Sequence, residues 1–158
     1  MLRDVAARLG DDPAAKFVDY EVPNGSNMPA QIWFAALTEW LAAYKAETGT
    51  PLDVMVLDMQ WHLPWQATAR QTINILHNKG TLAGVFLEAE THPGTTDASW
   101  VADAKKNAEA VNAAKLPFDI VLFATWMQHP RHNLPESDPT SFASMVDWYA
   151  NTFHWLKQ

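Results

Sequence analysis

The chain has 158 residues, of which 48% are hydrophobic and 18% charged, enough apolar material for a buried core and too little charge for a disordered polymer. Its formal net charge of −7 argues against non-specific nucleic-acid binding, and no basic run suits an anionic membrane surface. The absence of cysteine excludes disulfides, thiolate metal sites and thiol catalysis, and no apolar stretch approaches the roughly 18 residues that would read as a membrane span.

In chain order, the first ten residues (MLRDVAARLG) read as a short amphipathic helix without the apolar stretch of a signal peptide. That leaves the compartment open, extracellular or periplasmic if the chain is a fragment of a secreted protein. Residues 16–21 (KFVDYE) predict a first strand. Trp33, Leu37, Trp40, Leu41 and Tyr44 then recur at helical spacing, and Thr48-Gly49-Thr50-Pro51 closes that helix. A second strand is predicted over 53–58 (DVMVLD), followed by a helix marked by Ala69, Ile73 and Leu76 and ended by Asn78-Lys79-Gly80. The third strand falls at 82–88 (LAGVFLE), its helix carrying Trp100, Ala104, Ala108 and Val111 and stopping at Leu116-Pro117. The fourth falls at 119–125 (DIVLFAT), before a helix marked by Phe142, Met145, Val146, Tyr149, Phe153 and Leu156. Asp97 and Asp138-Pro139 are read as helix starts, and Ser26, Ser99, Ser137, Ser141 and Ser144 as turn or helix-start residues.

Strand starts recur about every 30 to 37 residues, which is βα spacing. The alternation implies an α/β fold with a parallel sheet and right-handed crossovers. Four such units make one domain over 1–158, expected to be half of a (β/α)8 (TIM) barrel, which takes roughly 250 residues; a small open flavodoxin-like sheet is the alternative. A bare half-barrel would expose two sheet edges, so the expected partner is a missing N-terminal half-barrel or a second copy. No glycine-rich phosphate loop follows any strand, Asn24-Gly25-Ser26 being too sparse.

Polar residues gather where each strand ends. The ends read Asp19-Tyr20-Glu21, Asp58-Met59-Gln60-Trp61-His62, Glu88-Ala89-Glu90-Thr91-His92 and Thr125-Trp126-Met127-Gln128-His129. Ligands bind at that end of parallel α/β folds. Strand parity places Asp58 with Gln60, and Glu88 with Glu90. Two carboxylates flanking a sugar can divide acid and nucleophile or base roles, so Glu88 or Glu90 with Asp58 or Glu21 is the candidate catalytic set. Trp61, Trp65 and Trp126, with Gln60, His62, His92 and His129, are candidate cleft residues, the indoles offering flat apolar faces to a sugar. Of the eight tryptophans, Trp33, Trp40 and Trp100 are expected in the core and Trp148 partly exposed. His62, His92, His129 and His132 lack metal-ligand spacing, so neither a metal nor a cofactor is expected. His77 and His154 are read as surface residues, and Asp53 and Asp119 as ordinary turn residues.

The segment Phe123-Ala124-Thr125-Trp126, followed by Leu134-Pro135-Glu136-Ser137-Asp138-Pro139 and a closing helix, resembles the final βα unit of (β/α)8 glycoside hydrolases. The resemblance implies that Trp126 ends the eighth strand and lines a sugar subsite. It further implies that Glu88 or Glu90, ending the seventh, is the nucleophile of a retaining mechanism. The acid/base, a Glu ending the fourth strand, would precede residue 1. The chain alone is therefore expected to show little or no turnover on aryl glycosides. A non-catalytic carbohydrate-binding barrel and a barrel enzyme of another, metal-dependent class are the competing functions.

Overall fold

The computed structural model describes residues 17–21, 29–125 and 128–153. The alternation is as expected: β1 (Phe17–Glu21), α1 (Ala30–Thr48), β2 (Val54–Asp58), α2 (Gln66–Asn78), β3 (Leu82–Leu87), α3 (Asp97–Ala113), β4 (Ile120–Phe123) and α4 (Phe142–Phe153). The sheet order is β1-β2-β3-β4. β1 runs parallel to β2 in the register Phe17↔Val54 to Glu21↔Asp58, and β2 runs parallel to β3 from Val54↔Leu82 to Leu57↔Val85. The result is an α/β fold built on a small parallel sheet. The predicted helix over the first ten residues, the loop at Asn24-Gly25-Ser26, Trp126, His154 and Leu156 lie outside the described residues.

The chain divides into two compact units. One holds the described residues through Phe86 together with Leu116–Leu122, and the other holds Leu87–Lys115 together with the described residues from Phe123 onward. In the first unit, four consecutive β2 residues, Val54, Met55, Val56 and Leu57, are at most 2% exposed. Burial of both parities is what a parallel strand covered on both faces requires, and it explains why the run reads as unbroken apolar sequence. Gly84 faces Val56, and a Cβ built on it would stand 3.1 Å from Val56 Cγ2, so glycine lets β2 and β3 approach here. α1 and α2 are tied by the Trp33 indole N–H, which donates to Thr72 Oγ1 at 3.1 Å inside the core.

Helix ends follow local chemistry. Gly49 (φ +80°) takes the left-handed position that closes α1, and its N–H donates to Lys45 O at 2.9 Å. Gly80 (φ +80°) does the same after α2, with the Thr81 N–H returning to Leu76 O at 3.0 Å. α3 opens on a capping box: Thr96 Oγ1 accepts from Ser99 N–H while Ser99 Oγ accepts from Thr96 N–H. Asp97 is thus the first helical residue, and Thr96 is the cap. α4 starts at Phe142, later than Asp138-Pro139 suggested, because Ser141 Oγ accepts the Ser144 N–H at 3.1 Å.

In the second unit, α3 buries Trp100, Val101, Ala104, Ala108 and Val111, and the Trp100 and Phe142 rings lie 6.1 Å apart. Tyr149 packs on Phe123 and Phe153 at 5.2 and 4.9 Å, and burial pushes its hydroxyl up to about 12. Trp148 is half-buried, as expected, with Lys105 Nζ 5.2 Å from its ring centroid. Trp40 departs from expectation. It is 42% exposed, because the buried line of α1 runs through Trp33, Leu37 and Leu41 and leaves Trp40 on the flank, where it stacks on Tyr44 at 5.6 Å. The third and fourth strands also end earlier than predicted, at Leu87 and Phe123.

Candidate functional site

The β1 and β2 ends meet. Glu21 and Asp58, the last residues of the two strands, are register partners, so their backbones lie about 4.8 Å apart on neighbouring parallel strands. Burial then alternates past β2: Leu57 and Met59 are buried, whereas Asp58 and Gln60 are half-buried. Asp58 and Gln60 therefore share a side that keeps contact with solvent. Trp61 is half-buried, and its indole Nε1 is shielded from solvent with no hydrogen-bond partner in the structure. Buried donors are normally satisfied, and the Trp100 indole N–H within α3's packing is unpartnered in the same way. His62 is exposed. Trp65 is 4% exposed and packs edge-on to Trp61 at 5.4 Å, so its ring serves packing.

The second unit repeats the pattern past β3. Leu87 and Ala89 are buried while Glu88 and Glu90 are half-buried, so the two acids share a side as their parity predicts. Asn107 of α3 anchors this segment by donating to Glu88 O at 2.9 Å. His92 is exposed, its Nε2 3.5 Å from Glu90 Oε2, and its N–H donates to Thr95 Oγ1 at 2.8 Å. His129 is 6% exposed and its Nδ1 bonds Asp97 Oδ1, so that ring is committed inside the unit. Trp126 lies outside the described residues.

The sequence did not signal the polar network around Asp97. Asp97 Oδ1 accepts from His129 Nδ1 and from Arg131 N–H at 3.2 Å, while Oδ2 lies 3.4 Å from His132 Nδ1. His132 Nε2 lies 2.9 Å from Asp138 Oδ2, and Asp138 Oδ1 accepts the Thr140 N–H at 2.9 Å and its hydroxyl at 2.7 Å. More than thirty residues separate Asp97 from its partners, so no local motif could announce the network.

Asp97 lies below the ordinary carboxyl value of 3.8, chiefly through the His129 side-chain bond, with help from Arg131 N–H and against the opposing effect of burial. Asp138 is lowered as well, first by Thr140 N–H, then by the Thr140 hydroxyl and His132. A carboxyl whose folded value is depressed stabilises the fold while it is ionised. That contribution is present above about pH 4, and it is lost as the pH falls through the lowered values. The thermal midpoint of the wild type is expected to fall more steeply below about pH 4 than that of the Asp97→Asn, Asp138→Asn double variant; parallel pH profiles would remove this role.

Among the described residues, no three His, Asp or Glu side chains are arranged to hold a metal ion, and no helix is long and apolar enough to cross a membrane. A hollow of about 570 Å³ runs along α2, lined by Ala67, Arg70, Gln71, Asn74, Ile75 and Asn78, and none of the strand-end residues lines it. Comparison with protein-family models, curated proteins and solved structures gave no match.

Proposed function

We propose that the four βα units are half of a (β/α)8 barrel and that the C-terminal ends of its strands bind carbohydrate, with glycoside hydrolase-like carboxylate chemistry. The single observation that carries the reading is the register pairing of Glu21 with Asp58 at the ends of adjacent parallel strands. Sequential strand order supports the barrel half, since flavodoxin-like sheets place the first strand between the second and third. The half-buried placement of Gln60 and Trp61 beside the Asp58 strand end supports a ligand that meets both an amide and a flat apolar face.

In this reading Glu88 or Glu90 takes the nucleophile's place that the family resemblance implies, and Asp58 or Glu21 is its candidate acid or base partner. A carboxylic acid doing proton transfer must hold its proton near neutral pH, which desolvation by a bound sugar favours. Trp61 and Gln60 position the sugar, one by its apolar face and the other by its amide. The test is single carboxylate-to-amide replacement at Asp58, Glu88 and Glu90. In a barrel completed by the missing half, the residue that carries proton transfer is expected to lose about 100-fold or more of turnover on oligosaccharides when replaced, with ligand affinity kept within a few-fold. A completed barrel that binds sugars and shows no turnover for any of the three changes to reduce would instead be a carbohydrate-binding barrel without catalysis.

A further inference from the structure

Two of the three large apolar residues left exposed among the described residues, Ile32 and Trp40, stand on one line of α1, at 55% and 42% exposure. Ala36 and Ala43 lie on the same line and are also exposed. The spacing from Ile32 through Ala36 and Trp40 to Ala43 averages about 3.7 residues, close to the helix repeat, so the row runs nearly along the axis for about 16 Å. It adjoins the buried line of Trp33, Leu37 and Leu41, whereas Phe34 and Thr38, on the opposite flank, are half-buried. Scattered apolar residues on a surface need no explanation, but a continuous row beside the core stripe is the pattern of a helix that packs on another helix. The row alternates large and small side chains, and the alanines leave hollows that a partner's larger side chains can fill.

We propose that this row is a self-docking face through which two copies of the chain pair by antiparallel α1 helices. The proposal does not depend on the sugar reading. Antiparallel pairing about a two-fold axis level with Leu37 and Thr38 sets Ile32 of one copy against Ala43 of the other, and Trp40 against Ala36, so each large side chain meets a small one. Parallel pairing would instead set Trp40 on Trp40 and Ile32 on Ile32, and leave voids at the alanines. Charge selects the same orientation. α1 begins after Pro29 with no side-chain cap and no acidic residue in its first turn. Glu47, exposed near the other end, falls in this register beside Pro29 of the second copy, where a carboxylate offsets the partial positive charge of a helix start. Glu39, exposed at the edge of the row, comes near its own copy, and a single helix face is small for an interface. Both keep the dimer weak and reversible.

Sedimentation equilibrium of the full chain tests the pairing. A dimer with a Kd of about 100 μM is expected, the scale of a small interface. Trp40→Glu changes an exposed position, so it should keep the circular dichroism of the wild type and weaken the dimer by about tenfold or more. The chain has no cysteine, so single introduced cysteines report the register. Ile32→Cys and Ala43→Cys chains, mixed in equal amounts in a thiol–disulfide buffer, should form the 32–43 disulfide in about tenfold excess over either like pair, against about twofold for random collision, because only opposed positions come within disulfide reach. That ratio decides the matter even if Trp40→Glu folds poorly. A chain that stays monomeric at about 1 mM overturns the proposal, and means that something other than a second copy covers the face. A dimer that well-folded Trp40→Glu leaves intact overturns it, as does a disulfide ratio at or below the random value.

Discussion

Replacing Trp100 with alanine is expected to cost about 3 to 5 kcal/mol of unfolding free energy. Trp100 is 0% exposed, the largest of the fully buried side chains among the described residues, and lies one turn into α3 with its ring 6.1 Å from that of Phe142. Its loss removes a large buried apolar surface and leaves a cavity that α3 and α4 can fill only by moving. Its Nε1 has no hydrogen-bond partner in the structure, so truncation strands no acceptor and the cost is one of packing. Single domains hold together by about 5 to 15 kcal/mol, so a loss of this size removes a large share of the total. Urea titration followed by far-ultraviolet circular dichroism measures this. A loss below about 1 kcal/mol would mean that the indole is not packed as described.

Asp119→Ala is expected to cost about 1 to 3 kcal/mol, a large effect for a residue in a turn. Its Oδ2 accepts the Ala83 N–H at 2.9 Å and the His77 Nε2 at 2.8 Å, and its own N–H donates to Ala83 O at 2.8 Å. Ala83 is 0% exposed, so removing the carboxylate leaves a buried backbone donor without an acceptor where the fourth strand enters beside the third. His77→Ala should cost much less, about 0.5 kcal/mol, because that contact is partly exposed. A double-mutant cycle separates the two. Equal losses from both single variants would show that the Ala83 bond contributes little.

Those two residues mark what could and could not be read from the chain. The strands were legible because β2 and β3 are short runs of apolar residues, the pattern forced by burial on both faces. The closures of α1 and α2 were legible because Gly49 and Gly80 must accept positive φ. Trp100 followed from its place in a regular stripe. Trp40 fits the same kind of stripe and yet lies on the flank of α1, because periodicity cannot fix the width of the buried face. Asp119 looked like a turn residue, since its partners His77 and Ala83 are about forty residues away. The same distance hid Asp97, whose bonds to the 129–141 segment arise only from tertiary structure.

The candidate site divides along the same line. Which residues follow each strand is a matter of local sequence, and the alternation Leu57-Asp58-Met59-Gln60 and Leu87-Glu88-Ala89-Glu90 is kept in the burial of each segment. Side-chain use was less legible. Trp65 and His129 had the right position for cleft residues, but Trp65 is packed against Trp61 and His129 is bound to Asp97.

The most direct test of the carbohydrate reading is a nitrogen-15 NMR titration of the wild-type chain with a panel of α- and β-linked oligosaccharides. At least one sugar should produce saturable shifts centred on the backbone amides of Asp58, Gln60 and Trp61 and on the Trp61 indole N–H. Saturating concentrations of every sugar that leave those signals unmoved, or that move only signals elsewhere, would contradict it.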